Sequence, residues 1–128
     1  MRVRYGETDQ MGYMYYGNYA EFYEVGRVEM LRSLGLTYRW MEESGIMMPV
    51  MEMKCKYLKP ALYDEEISIR VKLEKMPGVK IHFYYELSNE AGELINLGET
   101  LLCFVNMKTG RPSLPPQDFL DRLKPFFA

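Results

Sequence analysis

The sequence predicts an α+β domain in which one long helix packs against one face of an antiparallel sheet of about five strands. Residues 18–35 carry apolar side chains at helical spacing. Beyond residue 50, four segments follow strand spacing. Parallel neighbours would need long crossovers, so the short connections indicate antiparallel pairing. The 128 residues suffice for a real core, and we expect one domain over residues 1–128.

The long helix has recognisable ends. Asn18 is a favoured N-cap residue, and Glu21 three positions later can complete a capping box. Gly35 suits the left-handed position that follows many helix ends. Gly26 lies mid-helix, where glycine destabilises by about 1 kcal/mol relative to alanine, so we expect the sheet to approach closely there. The predicted buried stripe is Tyr19, Phe22, Tyr23, Gly26 and Met30, and the predicted polar face is Glu21, Glu24, Glu29 and Arg32.

The other elements follow in order from the same spacing rules. Residues 1–5 alternate and predict an edge strand ahead of the helix. A short helix is predicted at 37–44 with Thr37 as its cap, and a terminal helix at 117–126. The strands are predicted at residues 51–57, 67–73, 79–87 and 94–107, the first three with one buried face and the last more uniformly apolar.

Composition and motifs exclude several classes of function. The net charge of −2 offers no electrostatic case for nucleic acid. No apolar run approaches the ~18 residues of a membrane span, and no signal-peptide pattern opens the chain. Cys55 and Cys103 lack metal or redox spacing, which predicts buried, reduced thiols in a cytoplasmic protein. The only histidine, His82, falls on the polar face of a strand, which favours a surface role over catalysis. We therefore expect neither metal nor cofactor.

One carboxylate has a position that suggests chemistry. Asp9 lies nine residues before Asn18, so the aromatic, glycine-containing loop between them can fold it back to the helix N-terminus. That end carries partial positive charge and unpaired N–H groups. A carboxylate beside such donors suits hydrolysis of an activated carbonyl. On residue type alone, aspartate at this position is more often a turn former.

Two blocks of the chain resemble a known family. TD-x-x-G at residues 8–12, NY at 18–19 and RVEMLRSLG at 27–35 resemble the N-terminal signature of the 4-hydroxybenzoyl-CoA thioesterase-like branch of hotdog-fold acyl-CoA thioesterases. Residues 57–67, YLKPALYDEEI, resemble the strand–turn–strand that follows the helix in that family. The likeness in layout extends over residues 1–115, and the two blocks together are fairly specific.

The resemblance implies a hotdog fold, in which a curved antiparallel sheet wraps the long helix, and hydrolysis of an acyl- or aroyl-CoA thioester. It implies that Asp9 is the catalytic carboxylate and that the backbone N–H of Tyr16 polarises the thioester carbonyl. Several family members carry a histidine where this chain has Tyr16, so a main-chain donor remains and that side-chain contribution does not. Another branch of the superfamily places its carboxylate on the helix, and Glu24 is the reserve candidate for that role.

The substrate is expected to contact one aromatic cluster and one basic cluster. For the acyl group the expected contacts are Gly12, Tyr13, Tyr15, Asn18, Tyr19, Phe22 and Tyr23, with contributions from a partner subunit, although such aromatics are more often core. For the phosphates of coenzyme A they are Lys54, Lys56 and Lys59, with Lys75 and Lys80 beside the Pro77 turn as a second cluster. The unpaired edges of such a sheet predict a homodimer, or a homotetramer built as a dimer of dimers.

Two other functions are compatible with the same groove. A non-catalytic acyl-CoA or acyl-carrier-binding module would use it without turnover. A hydratase acting on enoyl thioesters would need an Asp–His pair, for which His82 is poorly placed. The acyl group, the choice between coenzyme A and a carrier protein, and the choice between a nucleophilic and a general-base role of Asp9 stay open at this point.

Overall fold

Residues 1–127 are described by the structure, a computed structural model, and they form three α-helices and six strands. The helices are α1 (Tyr19–Ser33), α2 (Tyr38–Glu43) and α3 (Gln117–Leu123). The strands are β1 (Ile46–Met47), β2 (Val50–Tyr57), β3 (Ser68–Leu73), β4 (Lys80–Ser88), β5 (Leu94–Cys103) and β6 (Val105–Asn106). One long helix and an antiparallel sheet are present, so the predicted α+β class is confirmed.

The main sheet has four strands in the order β2-β5-β4-β3, and every neighbouring pair is antiparallel. The long strand predicted at 94–107 is interrupted at Phe104, whose N–H donates to the carbonyl of Val79 at 2.9 Å and whose carbonyl accepts from Ser113. After this break, β6 pairs with β1 as a separate two-stranded ladder. The sheet of about five strands is therefore four strands plus this short pair.

The core lies between α1 and the middle of the sheet. Helix α1 packs across β3 and β4. The helix-facing side chains of β4 are at most 1% exposed, and they are Ile81, Phe83, Tyr85 and Leu87. Phe22 and Tyr23 of α1 are fully buried against them. Burying each such side chain contributes about 1.5–3 kcal/mol, so this layer dominates the stability of the fold.

Both glycine predictions for the long helix are confirmed. A Cβ at Gly26 would lie 2.8 Å from Cγ2 of Ile69 and 2.9 Å from Cγ2 of Val71, so strand β3 approaches the bare helix backbone there. Gly35 has φ +77° just beyond the helix end, a conformation that other residues rarely adopt.

Strand β2 departs from the predicted pattern, because neither of its faces is buried. Met53 and Tyr57 lie directly opposite Thr100 and Asn96, which are buried, so all four side chains share the helix-facing side. Met53 is nevertheless 43% exposed and Tyr57 50% exposed. Helix α1 packs mainly on β3 and β4 and meets this edge strand only through Tyr19 and Tyr23 of its first turns, so most of β2 stays uncovered. Cys55 of the same strand is half-buried, whereas Cys103 is buried as expected.

The prediction of an edge strand at residues 1–5 is wrong. Only an isolated bridge forms, between Arg2 and Glu66, and a short 3-10 turn follows over Tyr5–Glu7. The segment bonds to the turn ahead of β3 instead of to a strand: Val3 donates to the carbonyl of Glu65 at 3.0 Å, and Asp64 donates to the carbonyl of Val3 at 2.7 Å.

The capping box predicted at Asn18 is also wrong. Asn18 has φ −81° and ψ −12°, which is helical, because a 3-10 turn over Tyr16–Asn18 leads directly into α1. Its side chain caps no helix N–H and instead donates from Nδ2 to the carbonyl of Glu7 at 3.0 Å. The carboxylate of Glu21 lies 3.7 Å from the guanidinium of Arg4, not at the cap.

Candidate active site

The loop that carries Asp9 is a tight hairpin ahead of α1. Thr8 and Met14 form an antiparallel bridge, and the N–H of Asp9 donates to the carbonyl of Tyr13 at 2.8 Å. The hairpin closes through the N–H of Gly12, which donates to the carbonyl of Asp9 at 3.0 Å. Gly12 has φ +79°, so glycine suits this closing position. Asp9 therefore takes the turn-forming role that is common for its residue type.

The Asp9 carboxylate is held by main-chain donors on one side only. Its Oδ1 accepts hydrogen bonds from the N–H of Met11 at 2.9 Å and of Tyr13 at 3.4 Å. Its other oxygen accepts no hydrogen bond from any residue in the range 1–127. The carboxylate is therefore oriented, and it keeps one lone-pair face for a substrate or a water molecule.

The first N–H groups of the turn into α1 are unused. Within the described chain, neither Tyr16 nor Gly17 donates its backbone N–H to another residue. Such donors at a helix start carry the positive end of the helix dipole. They can stabilise an oxyanion without reorganising, because no existing bond has to break first.

Asp9 and Tyr16 line one cavity of about 310 Å³ at the helix entrance. Two segments form the wall: the loop at its front, and the end of β2 with the turn that follows it. The lining residues are Asp9, Met11, Tyr13, Met14, Tyr16, Tyr19, Tyr57, Leu58, Lys59 and Pro60. Most of the lining is tyrosine, methionine or other apolar side chains, so the cavity suits an apolar or aromatic group with one reactive polar end.

Of the acyl contacts expected from the sequence, Tyr13 and Tyr19 line this cavity. Phe22 and Tyr23 are fully buried beneath the helix and belong to the core. The ring of Tyr15 packs beside Tyr16 at 4.5 Å between centroids and covers Gly17, away from the cavity lining. Gly12 closes the hairpin and Asn18 bonds inward to Glu7.

The three lysines expected to contact the phosphates of coenzyme A do not lie together. Lys59 lines the cavity rim, where its ammonium pairs with Glu93. Lys54 and Lys56 alternate with Cys55 and Tyr57, and therefore point to the outer face of the sheet. There they border a different groove of about 470 Å³.

The remaining candidates also lie apart from the cavity. Lys75 and Lys80 border a small outer groove with His82. His82 stacks on Tyr84 with 4.5 Å between ring centroids and lies 3.4 Å from Glu99, which is the surface role predicted for it. The reserve carboxylate Glu24 is exposed on α1 and absent from the cavity lining.

The cavity also uses residues that the sequence reasoning did not select. Met11, Met14, Leu58 and Pro60 line it together with Tyr57. For Tyr57, Leu58 and Pro60 the sequence held one signal, because residues 57–67 resemble a block of the family. Burial, and then a hydrogen bond with the Cys55 thiol, raise the pKa of Tyr57 to about 12. The phenol of Tyr57, one of the lining residues, therefore stays protonated near neutral pH.

Beneath the cavity, a buried polar cluster joins α1 to the sheet. The hydroxyl of Tyr23 donates to Oδ1 of Asn96 and accepts from the Cys55 thiol at 3.3 Å. Burial raises the pKa of Tyr23, so this hydroxyl stays protonated. A Cβ at position 98 would lie 2.6 Å from Cε2 of Tyr23, so only Gly98 leaves room for the ring. The cluster fixes the first turns of α1 against β2 and β5.

A second buried polar contact involves Arg27, which appeared in the sequence only as part of the family signature. It is 6% exposed and donates to the hydroxyls of Tyr38 at 2.9 Å and Tyr85 at 3.3 Å. The Tyr85 hydroxyl is also within 2.6 Å of Oγ1 of Thr100. The side-chain partners of this buried cation within residues 1–127 are thus two phenols.

The part of the chain that the structure describes holds neither a cluster of metal-ligand side chains nor a helix suited to spanning a bilayer. Residues 1–127 contain no group of three or more histidine, cysteine, aspartate or glutamate side chains placed to hold a metal ion. None of their helices has the length and apolar character needed to cross a bilayer.

Comparison with known proteins assigns the chain to a family. A family model described as the thioesterase-like superfamily matches residues 3–123. YneP of Bacillus subtilis (strain 168), provisionally named an acyl-CoA thioesterase, is 40% identical over 94 residues, or 73% of this chain and 68% of that protein. The acyl-CoA thioester hydrolase YbgC of Escherichia coli O157:H7 is 28% identical over 97% of this chain and 92% of its own length. The structure of DHNA-CoA thioesterase from Staphylococcus aureus superposes with a TM-score of 0.85 and 36% identity, covering 99% of this chain and 82% of that one. This chain therefore belongs to the thioesterase-like superfamily, and its long helix and antiparallel sheet form the hotdog fold of those enzymes.

Proposed function

We propose that this protein hydrolyses acyl- or aroyl-CoA thioesters to the free acid and coenzyme A, with Asp9 and the backbone N–H of Tyr16 as its catalytic groups. The chain is a thioester hydrolase of the family to which its sequence assigns it. The observation that carries the choice of site is a single cavity at the start of α1. It is lined by a carboxylate with one unbonded oxygen and by the residue whose N–H is unused.

In the proposed reaction, the thioester carbonyl enters with its oxygen towards the N–H of Tyr16. That donor stabilises the negative charge that develops on the oxygen, and the helix dipole adds to it. The unbonded oxygen of Asp9 either attacks the carbonyl carbon, forming an anhydride that water hydrolyses, or takes a proton from an attacking water. By either route the C–S bond breaks and coenzyme A leaves as a thiolate. The thiolate takes the proton that Asp9 received from water in the general-base route, or a proton from solvent water in the nucleophilic route, and the acid is released.

The shape of the cavity supports a division of the substrate into two parts. A volume of about 310 Å³ accepts an acyl or aroyl group against Tyr13, Tyr19 and Tyr57, while the much larger coenzyme A moiety stays outside. Lys59 is the one lysine or arginine among the described residues that line the cavity, and its exposed pairing with Glu93 can exchange for a phosphate. Lys54 and Lys56 face the opposite side of the sheet and are assigned no phosphate contact within the same chain.

We infer that the working form is a homodimer, or a dimer of dimers. Strand β2 has an unpaired edge, and its helix-facing Met53 and Tyr57 are exposed beside the cavity to which Tyr57 belongs. A second copy pairing along β2 would satisfy the edge amides and cover these side chains. It would also close the open side of the cavity, which supports a site shared between subunits.

The compartment that we propose is the cytoplasm. Cys55 and Cys103 are both free thiols, which persist in a reducing environment.

The substitution Asp9→Asn tests the assignment. Asparagine keeps the size of the side chain and an oxygen that can accept from Met11, but it removes both the base and the nucleophile. Positioned acid–base groups typically raise the rate by about 10²–10⁴-fold, so kcat should fall by at least about 10²-fold. The measurement is release of free thiol from a panel of acyl- and aroyl-CoA thioesters. Thermal unfolding should change little, because asparagine is also favoured in turns.

The matched control is Glu24→Gln, which removes a carboxylate of α1 outside the cavity and should leave kcat near the parent value. Retained hydrolysis by a folded Asp9→Asn protein, with loss in Glu24→Gln, would move the catalytic role to Glu24. Binding of an acyl-CoA by both parent and variants without thiol release would instead identify a non-catalytic module.

A further inference from the structure

The side chain of Asn18 makes an unusual connection for its place at the start of a helix. It caps no helix amide, and its Nδ2 donates instead to the carbonyl of Glu7, eleven residues earlier, at 3.0 Å. Asparagine at such a position ordinarily accepts from the helix main chain. Here the same residue type joins the helix entrance to the 3-10 turn that precedes Asp9.

The Glu7 carbonyl accepts a second hydrogen bond, from the N–H of Tyr15 at 2.6 Å. A carbonyl oxygen has two lone pairs, so both are occupied. Tyr15 and Asn18 stand immediately before and after the pair Tyr16–Gly17, whose N–H groups are unused within the described chain. The Glu7 carbonyl thus accepts one hydrogen bond from the residue before this pair and one from the residue after it. The pair includes Tyr16, whose N–H is the proposed oxyanion donor.

Glu7 is itself a fixed point. It is 4% exposed, and its carboxylate accepts from the N–H of Arg4 at 2.8 Å, with the Arg4 guanidinium 3.4 Å away. The same guanidinium reaches Glu21 of α1 at 3.7 Å. A buried carboxylate held in this way resists displacement, because losing its partners would leave it desolvated and unpaired.

The hairpin links the position of Asp9 to the position of Glu7. Asp9 is two residues further on. The N–H of Asp9 donates to the carbonyl of Tyr13, and the N–H of Tyr15 donates to the carbonyl of Glu7, so both bonds flank the Thr8–Met14 bridge. The Asp9 carboxylate is in turn oriented by the N–H groups of Met11 and Tyr13. A shift of the helix entrance relative to Glu7 therefore changes the separation between the Asp9 carboxylate and the N–H of Tyr16.

We propose that Asn18 is a positioning residue for the hydrolysis reaction: its hydrogen bond to the Glu7 carbonyl sets the distance between the Asp9 carboxylate and the Tyr16 N–H. This inference rests on the function proposed above. Misplacing a reacting group by 1 Å can reduce the rate by about 10²-fold. Loss of the Asn18 bond should therefore lower kcat by about 10- to 100-fold. KM should change less than threefold, since the side chain points inward and not to the cavity wall.

The test substitution is Asn18→Ser. Serine is equally suited to the start of a helix, so helix formation should be preserved. Its side chain is too short to reach the Glu7 carbonyl. The matched control is Asn106→Ser, which removes the same carboxamide from the end of β6, where Oδ1 accepts from the N–H groups of Lys108 and Thr109 in the following turn, away from the cavity. Should the Ser variant be unfolded, Asn18→Asp has the same size, lacks the donor and places a favourable charge near the helix start.

The deciding measurement is a double-mutant cycle, in which kcat is measured for the parent, Asn18→Ser, Asp9→Asn and the variant that carries both substitutions. A positioning role predicts that Asn18→Ser lowers kcat in the parent but has almost no further effect in the Asp9→Asn background, where the group that it positions is gone. A purely structural role would reduce kcat equally in both backgrounds, and a substrate-contact role would raise KM. Either result would overturn the proposal.

Failure of the two proposals can be told apart. If Asp9→Asn is inactive while Asn18→Ser retains full kcat, the reaction assignment stands and the positioning role is wrong. If Asp9→Asn retains full activity, the proposed catalytic site itself is wrong. The control Asn106→Ser should match the parent in kcat and KM, so a loss there would show that the assay reports general damage to the fold.

Discussion

The substitution Gly26→Ala tests how closely the central helix lies on the sheet. Gly26 faces β3, and an added Cβ would meet Cγ2 of Ile69 at 2.8 Å and Cγ2 of Val71 at 2.9 Å. Favourable carbon–carbon contacts lie at about 3.5–4.0 Å, so both neighbours would have to move by about 0.6–1.2 Å. Ile69 and Val71 are half-buried on an edge strand, which allows part of that movement.

Two effects of opposite sign decide the magnitude. Alanine in a helix interior is about 1 kcal/mol more favourable than glycine. Overpacking a filled interface destabilises by about 1–3 kcal/mol. Because two methyl groups are displaced at once, we expect overpacking to prevail and the free energy of unfolding to fall by about 1 kcal/mol. Urea unfolding of the purified protein measures this as a lower midpoint at an unchanged slope.

The partner substitution Val71→Ala identifies the cause. It removes one of the two methyl groups that a Cβ at position 26 would meet. Gly26→Ala should therefore be less harmful in the Val71→Ala background, with a coupling of at least about 0.5 kcal/mol. Gly78→Ala is the control, since a Cβ there has nothing within 4 Å. A Gly26→Ala protein that is more stable than the parent, or strict additivity with Val71→Ala, would refute the close approach.

Three further outcomes can be checked independently. Lys59→Gln should raise KM for acyl-CoA and leave a short acyl-pantetheine thioester unaffected, whereas Lys54→Gln, on the outer face of the sheet, should change neither value. Met53→Glu places a charge on the exposed face of β2 and should shift the sedimentation mass from a dimer towards a monomer; an unchanged mass would exclude pairing along β2. Burial raises the pKa of Tyr23, so the unfolded state loses this phenolic proton near pH 10 while the folded state retains it. Stability should thus fall by up to about 1.4 kcal/mol per pH unit above pH 10, and Tyr23→Phe should make that slope shallower in urea titrations at pH 9, 10 and 11.

Local patterns in the sequence were sufficient for the secondary structure that buries the core. Strand β4 alternates from Ile81 to Leu87 as predicted, because a period of two places every second side chain on the helix-facing side. Gly26 and Gly35 could be assigned from residue type alone, since a bare backbone or a positive φ is a property of one residue. The hairpin at Asp9 likewise forms from contacts within a few residues.

Tertiary packing decided the features that depend on distant partners. The alternation of β2 predicts a buried face, yet Met53 stays exposed, because exposure depends on how far α1 extends across the sheet. Asn18 has the residue type of a cap, but the Glu7 carbonyl competes for its amide once the hairpin folds back on the helix. Tyr57 reaches the cavity from 48 positions beyond Asp9 for the same reason. Spacing within a segment determines which side chains share a face, whereas only the packed fold determines what that face meets.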